Sequence, residues 1–306
     1  MPSYLFVLIP TYFDGKATTE IIFEIIDLEK INEKRYNLQF FVIDDSGGMD
    51  HDLLSLNKIK NTKIIKTSVS KGNQNAIIYG LSEILKTKKK NAAVVVMDGD
   101  GEDNPADVFK LLSEIESDAN LELIHAVRGK RNIGIQFRIL ITIFRVIFRI
   151  LTGRDWRTGN FCAIQVLWIE KNYNEIVSLN NFAGSILALP AKRKFIKLNR
   201  PIRRYEISKT SNEGKILYAL NSLMPWVDKI LIRSLIFFGF SILNLITSIS
   251  ISAYIKFVMD SATPNWFTIL FVSAIALCVM SLSIFLTAYL LKSLSYISVT
   301  ITGKFR

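Results

Sequence analysis

The sequence predicts an α/β fold, a mostly parallel, Rossmann-like sheet with helices on both faces, followed by a C-terminal transmembrane helical hairpin. Along the first two thirds, apolar, β-branched runs alternate with segments of helical spacing, which is typical of a parallel sheet buried on both faces. Towards the C-terminus, two uncharged segments of about 22 and about 25 residues are each long enough to cross a bilayer as a helix.

The predicted elements of the sheet begin near the N-terminus. In chain order they are a strand from Tyr4 to Ile9, a helix from Ala17 to Ile31, strands from Leu38 to Ile43 and from Ile64 to Thr67, a helix from Asn73 to Leu85, a strand from Ala92 to Met97 and a helix from Pro105 to Ser117. Another apolar stretch runs from Leu121 to Val127. Sheets of this kind bind ligands beyond the carboxyl ends of their strands.

Acids and turn residues follow three of these strands, within residues 10–14, 44–48 and 98–102. In the third segment, Asp98, Asp100 and Glu102 are separated by single glycines directly after the apolar run. This arrangement predicts carboxylates delivered to a cleft, where oxygen ligands would favour Mg²⁺ or Mn²⁺ over zinc. Taken alone, the pattern also fits a solvated acidic turn before a helix that starts at Asn104-Pro105.

The C-terminal third predicts two spans, from Ser234 to Ile255 and from Phe267 to Leu291, joined by a short link. Basic residues flank the pair outside the link, so the positive-inside rule places both ends and the N-terminal region in the cytoplasm. The expected boundaries are a catalytic domain over 1–210 that includes an interfacial amphipathic helix over 133–151, a juxtamembrane segment over 211–230, spans over 231–258 and 266–292, and a cytoplasmic tail over 293–306.

Composition limits the function classes. The chain has 306 residues, a net charge of +11 and a mean hydropathy of +0.28, which is too apolar for an ordinary soluble domain. Because the basic residues cluster beside apolar spans, the charge indicates anionic lipid headgroups and phosphorylated substrates rather than nucleic acid. Cys162 and Cys278 lie in different regions and indicate neither a disulfide nor a metal site. The short Leu5 to Ile9 run lacks a basic flank, so no cleavable signal peptide is expected.

Four motifs in order resemble those of glycosyltransferase family 2, which has the GT-A fold. The family's P-x-Y-N-E, D-D-G-S, D-x-D-x-Q-D-x-P and R-x-x-G-x-S-K appear here as P-T-Y-F-D at 10–14, D-D-S-G at 44–47, D-G-D-G-E-D-N-P at 98–105 and R-R-Y-E-I-S-K at 203–209. With the paired spans, the resemblance is strongest to the membrane-bound polyprenyl-phosphate branch, which includes dolichyl-phosphate mannose synthases and bactoprenol glucosyltransferases. It covers about Tyr4 to Lys209 and the spans.

The resemblance implies a set of site residues. The implied metal ligands are Asp98, Asp100 and Glu102, with Asp100 also catalytic. The implied nucleotide-sugar contacts are Pro10, Tyr12, Asp14, Asp44, Asp45, Lys71 and Asp98. Arg128, an implied catalytic residue, matches a strand-end arginine that faces the donor or acceptor phosphates. Arg203, Ser208 and Lys209 would form a second phosphate clamp. Asp14 replaces the family's usual Glu, and Phe13 its usual Asn, so the preferred base stays open.

Arginines also mark the predicted interfacial helix. Arg138, Arg145 and Arg149 lie near one line on an otherwise apolar helix, as on a helix at a membrane surface. Arg138 would hold a lipid phosphate there. Alternatively, the helix packs on the catalytic domain, and its arginines extend to solvent.

The chain departs from the family pattern at residues 156–161, W-R-T-G-N-F. Relatives tend to carry acids where this chain has Arg157 and Asn160, and the nearest acid, Asp155, is the remaining candidate catalytic carboxylate. A sugar hydroxyl acceptor needs a general base. A lipid phosphate needs none, because its second pKa is near 6 and it arrives as an anion.

These observations together predict an inverting, Mg²⁺- or Mn²⁺-dependent glycosyltransferase at the cytoplasmic face of a bacterial inner membrane. It would move one sugar from a UDP- or GDP-linked donor to polyprenyl phosphate, undecaprenyl phosphate in particular. The alternatives are a saccharide or diphospholipid acceptor, and a catalytically silent scaffold for a glycosylation complex. The sugar, the nucleotide and the oligomeric state stay open, although small residues along the spans would permit a homo-oligomer.

Overall fold

The computed structural model describes residues 3–31, 36–129, 135–156, 159–205, 212–260 and 265–303. Its strands are β1 (Tyr4–Thr11), β2 (Asn37–Asp44), β3 (Thr62–Lys66), β4 (Ala92–Val96), β5 (Leu123–Arg128), β6 (Cys162–Gln165) and β7 (Arg193–Leu198). Its α-helices are α1 (Gly15–Ile31), α2 (Asn73–Leu85), α3 (Pro105–Ser117), α4 (Ile135–Thr152), α5 (Val166–Leu179), α6 (Phe182–Ala188), α7 (Asn212–Asn221), α8 (Val227–Phe257) and α9 (Asn265–Gly303). Short 3₁₀ helices span His51–Lys58 and Met224–Trp226.

The seven strands form one sheet in the order β3-β2-β1-β4-β6-β5-β7. All neighbouring pairs are parallel except those of β6, which runs antiparallel to β4 and to β5. The mostly parallel sheet predicted from the sequence is therefore confirmed. Because β2, β1 and β4 are parallel neighbours, the loops that follow them leave the same edge of the sheet.

Helices cover both faces of the sheet. On β1, Leu5, Val7 and Ile9 face a cluster that includes α1 and α3, while Phe6 and Leu8 face a cluster that includes α2, α5 and α6. This alternation is the period-two pattern of a strand that is buried on both sides. The two clusters hold the carboxyl edge of the sheet in place.

The reversed direction of β6 decides which residues reach that edge. Val96, at the end of β4, pairs with Cys162, at the start of β6. In an antiparallel neighbour the residues that precede the strand lie where the parallel strands end. Asn160 and Phe161 are therefore brought to the carboxyl edge from the amino end of a strand.

The chain divides into two compact units, one formed by Met1–Leu140 and Trp156–Met224 and the other by Ile141–Asp155 and Pro225–Arg306. The first contains the sheet. In the second, α8 and α9 pack against each other. Two helical stretches, Tyr218–Phe257 and Thr268–Leu290, have mean hydropathies of 2.0 and 2.7 and are long and apolar enough to cross a membrane.

The second unit also contains the end of α4. Arg233 of α8 donates from Nη1 to the carbonyl oxygen of Ile150 at 2.7 Å, close to the end of α4. Phe148 and Trp226, both buried, pack edge to face with ring centroids 6.1 Å apart. A guanidinium at the C-terminus of a helix is favourable because the last carbonyl groups lack intrahelical partners.

Candidate active site

The loops after β1 and β4 are joined through one threonine at the carboxyl edge. The Thr18 hydroxyl lies 3.3 Å from Thr11 Oγ1 and donates to the carbonyl oxygen of Gly99 at 3.2 Å. A Cβ at Gly99 would lie only 2.4 Å from Thr18 Oγ1, so the close approach requires glycine there. In the first loop, Phe13 has a φ of 55°, which is uncommon for a non-glycine residue. This turn directly precedes Asp14.

Asp98 lies in a network of side-chain amides. Asn160 donates from Nδ2 to Asp98 Oδ1 at 3.1 Å, and Asn73 donates to the same oxygen at 3.3 Å. Asn160 in turn accepts from Gln74 Nε2 at 2.7 Å, and Gln74 accepts from the N–H of Ala183 at 2.9 Å. The first turn of α2 and the segment before β6 thus hold Asp98 through neutral donors.

Asp100 and Glu102 contact two arginines. Asp100 Oδ2 lies 3.2 Å from Arg203 Nη1, and Glu102 forms an ion pair with Arg200. Asp100 Oδ1 accepts from the Glu102 N–H at 3.0 Å. Burial, together with the negative charge of Asp98, raises the pKa of Asp100 to about 7. A carboxyl with this pKa beside a second carboxylate favours a nearby cation.

The Asp45 carboxylate accepts hydrogen bonds from the loop that precedes α2. Its two carboxylate oxygens accept four hydrogen bonds, from Thr67 Oγ1 at 3.0 Å, Ser70 Oγ at 2.8 Å, the Lys71 N–H at 2.7 Å and the Gly72 N–H at 2.8 Å. A carboxylate offers about four acceptor positions, so this loop takes the capacity that a nucleoside would use. Asp45 thus supports the loop that precedes α2, and its expected nucleoside contact stays a prediction.

Asp44 borders a cavity of about 180 Å³. The cavity lies between β2, β3 and the 3₁₀ helix His51–Lys58. Asp44 Oδ1 accepts from the Ser46 N–H at 3.0 Å and from the Ser46 hydroxyl at 2.5 Å. Asp50, on the same cavity, accepts from the Gly15 N–H at 2.8 Å and so ties the start of α1 to the loop after β2. The cavity and the neighbouring acid fit the predicted nucleoside contact of Asp44.

The structure describes some of the remaining predicted residues fully and others only in part or not at all. Pro10 lies in β1, Tyr12 is exposed in the loop after it, and Lys71 holds Asp45 through its backbone N–H while its Nζ lies 5.8 Å from the centre of the Tyr79 ring. Arg128 ends β5, but its side chain lies outside what the structure describes, as do residues Ser208 and Lys209 entirely. Arg138 is exposed on α4.

Asp155 belongs to the second compact unit, whereas the acidic loops belong to the first. Its side chain is 37% exposed, with Oδ1 3.6 Å from Arg149 Nε. An exposed carboxylate near an arginine is not held against the acidic loops in the way that a general base is held against its substrate. The catalytic role expected of Asp155 gains no support from this placement.

The metal ligands expected from the sequence are only partly brought together. Within the described ranges, no group of three His, Cys, Asp or Glu side chains is arranged to hold a metal ion. Glu102 pairs with Arg200 here, and the expected Asp98, Asp100 and Glu102 set stays a prediction. Asp98 and Asp100 still fit Mg²⁺ or Mn²⁺, since such ions are commonly held by one or two carboxylates plus substrate phosphates.

Sequence reasoning missed several of these residues. Asn73 and Gln74 were read only as a helix start, Asn160 only as the loss of an acid, and Arg200 was not singled out. The available signal was the basic run that follows β7, which contains Arg200, Arg203 and Arg204.

Comparisons with known proteins agree with this architecture. The profile of a family described as Glycosyl transferase family 2 matches residues 6–175. No curated protein matches the sequence significantly.

Among solved structures, the fold is similar to glucosyl-3-phosphoglycerate synthase from Mycobacterium tuberculosis in complex with Mn²⁺, uridine-diphosphate-glucose and phosphoglyceric acid. That match has 12% identity and a TM-score of 0.53, and it covers 74% of this chain and 80% of that one. The same enzyme with phosphoglyceric acid matches at 14% identity and a TM-score of 0.52, over 73% and 80%. A mannosyltransferase from Pyrobaculum calidifontis in complex with GDP-Man and Mn²⁺ matches at 12% identity, over 99% and 79%, with a TM-score of 0.44.

Proposed function

The chain belongs to glycosyl transferase family 2, and on this premise we propose that it moves one sugar from a nucleotide-sugar donor to the phosphate of a polyprenyl lipid. The observation that carries the proposal is the pairing of Asp98 with a carboxamide, Asn160, at the edge where the acidic loops meet. The carboxylates suit a metal-bound donor, and the amide suits an acceptor that is already an anion.

On the donor side, Asp98 and Asp100 would hold Mg²⁺ or Mn²⁺ with the donor diphosphate. When bound, the cation would act as a Lewis acid that stabilises the charge developing on the departing nucleotide. Asp44 and the cavity beside it would receive the nucleoside, and Tyr12, which is exposed in the loop after β1, would contact it from the same edge of the sheet. Asp45 would act indirectly, by fixing the loop that leads to Asn73.

On the acceptor side, the amide of Asn160 cannot take a proton from a hydroxyl. A phosphomonoester needs no such help, because it is mostly ionised at neutral pH. Direct attack by a phosphate oxygen on the anomeric carbon would break the bond to the nucleotide and invert the configuration. The two apolar helices would keep the enzyme at the membrane that contains the lipid, with the sheet on the cytoplasmic side of a bacterial inner membrane.

The test is transfer of radiolabel from a panel of UDP- and GDP-sugars to undecaprenyl phosphate by the purified full-length protein. Mn²⁺ or Mg²⁺ is supplied in one arm and EDTA in the other. Undecaprenol is the matched acceptor control, since it differs from the substrate only by lacking the phosphate. We expect a labelled lipid that depends on metal and on the phosphate. Nucleotide binding without any lipid product would refute the proposal, and labelled undecaprenol would move the acceptor to the hydroxyl class.

A substitution at Asn160 separates the two acceptor classes. We expect Asn160→Asp to lower transfer to undecaprenyl phosphate about tenfold or more at pH 8, because the introduced carboxylate would lie about 3 Å from Asp98 and repel the incoming phosphate. Asn75→Asp is the matched control, because Asn75 is half-buried on α2 and its side chain donates to the Lys71 carbonyl rather than to Asp98. Initial rates at saturating metal give the measurement. Faster transfer, or new activity on undecaprenol, would show that the site lacked only a base.

A further inference from the structure

We propose that residues 200–205, here called the arginine arm, act as the counter-ion of the acidic loop, residues 98–102, when no donor is bound. When the metal-bound nucleotide enters, it would take the place of the arm at this loop. The inference rests on the proposed function for the identity of the incoming ligand. Its observable consequence is that Arg203 competes with a divalent cation for Asp100.

The arm contacts the acids on which donor binding depends. Arg203 Nη2 lies 2.6 and 2.7 Å from the two oxygens of Asp14, while its Nη1 lies 3.2 Å from Asp100 Oδ2. The three side chains are only 14% to 17% exposed. One guanidinium therefore links the loop after β1 to the loop after β4. Arg200 pairs with Glu102 in the same way.

The backbone of the arm lies directly over the acidic loop. The Arg204 N–H donates to the carbonyl oxygen of Asp100 at 3.1 Å. Gly101, with a φ of 85°, has no side chain at the point where a Cβ would lie 2.5 Å from Arg204 Cγ. The Arg204 side chain leaves the cleft and pairs with Glu24 of α1 at 2.6 and 2.8 Å. Arg204 thus anchors the arm, while Arg203 and Arg200 neutralise the cleft.

Charge explains the exchange. A divalent cation on Asp100 would lie within a few ångströms of the Arg203 guanidinium, and two like charges at that distance repel strongly in a site with little water. The nucleotide diphosphate supplies new acceptors, and Arg suits phosphate because its donors form a planar fork. Metal and nucleotide together would therefore move Arg203 from carboxylate to phosphate. Metal alone would have to displace it without that compensation.

The test is Mn²⁺ binding to the full-length protein without nucleotide. Binding is measured from the electron paramagnetic resonance signal of the free ion. We expect Arg203→Gln to bind Mn²⁺ about tenfold more tightly than wild type, because a competing cation is removed. Arg203→Lys keeps the charge and should remain as weak as wild type. Lys194→Gln is the matched control, since it also removes one positive charge but its partner is Glu114 of α3, and it should leave the Mn²⁺ affinity unchanged. Melting temperatures confirm that each variant is folded.

Unchanged or weaker Mn²⁺ binding by a folded Arg203→Gln protein would overturn the inference. Absence of Mn²⁺ binding by every variant would overturn it together with the metal site. The acceptor proposal is judged separately: a protein that shows the Mn²⁺ pattern but makes no lipid product keeps the exchange and loses the acceptor. A protein that makes the lipid product but does not show the Mn²⁺ pattern keeps the acceptor proposal and loses the exchange.

Discussion

Asp100→Asn is expected to abolish sugar transfer and, in the same protein, to raise thermal stability at alkaline pH. Loss of a carboxylate that we propose to hold the cation should lower the rate about 10³-fold, the scale seen when a group that stabilises transition-state charge is removed. The side chain keeps its size, so the Glu102 N–H can still donate to the remaining oxygen. Transfer to undecaprenyl phosphate with saturating Mn²⁺ gives the measurement.

The gain in stability follows from the direction of the pKa shift. Folding raises the pKa of Asp100 from 3.8 to about 7, so the ionised carboxylate costs stability. This cost is absent below about pH 4, grows as the pH rises from about 4 to about 7, and is complete above about pH 7. An amide never carries the cost, so we expect the ligand-free variant to be more stable than wild type at pH 8 by on the order of 1–2 kcal/mol, and equal to it near pH 4.

Asp27→Asn is the matched control, because Asp27 is 70% exposed and pairs with Lys30 on the surface of α1. It should change neither the rate nor the pH dependence of the melting temperature. An Asp100→Asn protein with more than a tenth of wild-type activity, or one whose melting temperature follows wild type at every pH, would contradict the assignment.

Asp45→Ala is expected to destabilise the first unit by about 3 kcal/mol or more, because it leaves two backbone N–H groups and two hydroxyls without their acceptor. Thr67→Val removes only one of the four donors and should cost about 1 kcal/mol. Thermal melts of the detergent-solubilised protein, monitored by circular dichroism, compare the two variants.

A second readout separates loop support from nucleoside contact. If Asp45 supports the loop, Asp45→Asn should also lower the melting temperature, because its NH₂ group would face a backbone donor. If Asp45 instead contacted the nucleoside, the same variant would melt as wild type does and lose only nucleotide affinity. Isothermal titration with UDP and GDP, beside the melts, distinguishes the two results.

The sequence was sufficient to predict the carboxyl edge of the sheet. Short, β-branched apolar runs such as Ala92–Val96 favour buried strands, and in a parallel sheet the ends of such strands meet at one edge. Asp44, Asp98 and Asp100 were therefore identified by position. Their chemistry at that edge was predictable because it depends on residue type and on strand direction alone.

The partners of those acids were not predictable, because they come from distant parts of the chain. Asn160 reaches Asp98 because β6 runs antiparallel, and its four-residue pattern carries no sign of direction. Arg203 reaches Asp14 across 189 positions of sequence, through a segment without regular secondary structure. Periodicity in sequence describes faces of helices and strands, and it contains no information on such long-range pairing.

The discontinuous second unit has a practical consequence for producing the protein without its two long apolar helices. Residues 141–155 lie in the sequence between the two segments of the first unit, yet they pack with the region that begins at Pro225. A chain cut after Met224 would lose Trp226 and Arg233. It would leave Phe148 without its edge-to-face partner and the Ile150 carbonyl without its guanidinium donor. We expect such a fragment to aggregate, and a soluble version would need polar substitutions along the end of α4 as well as the cut.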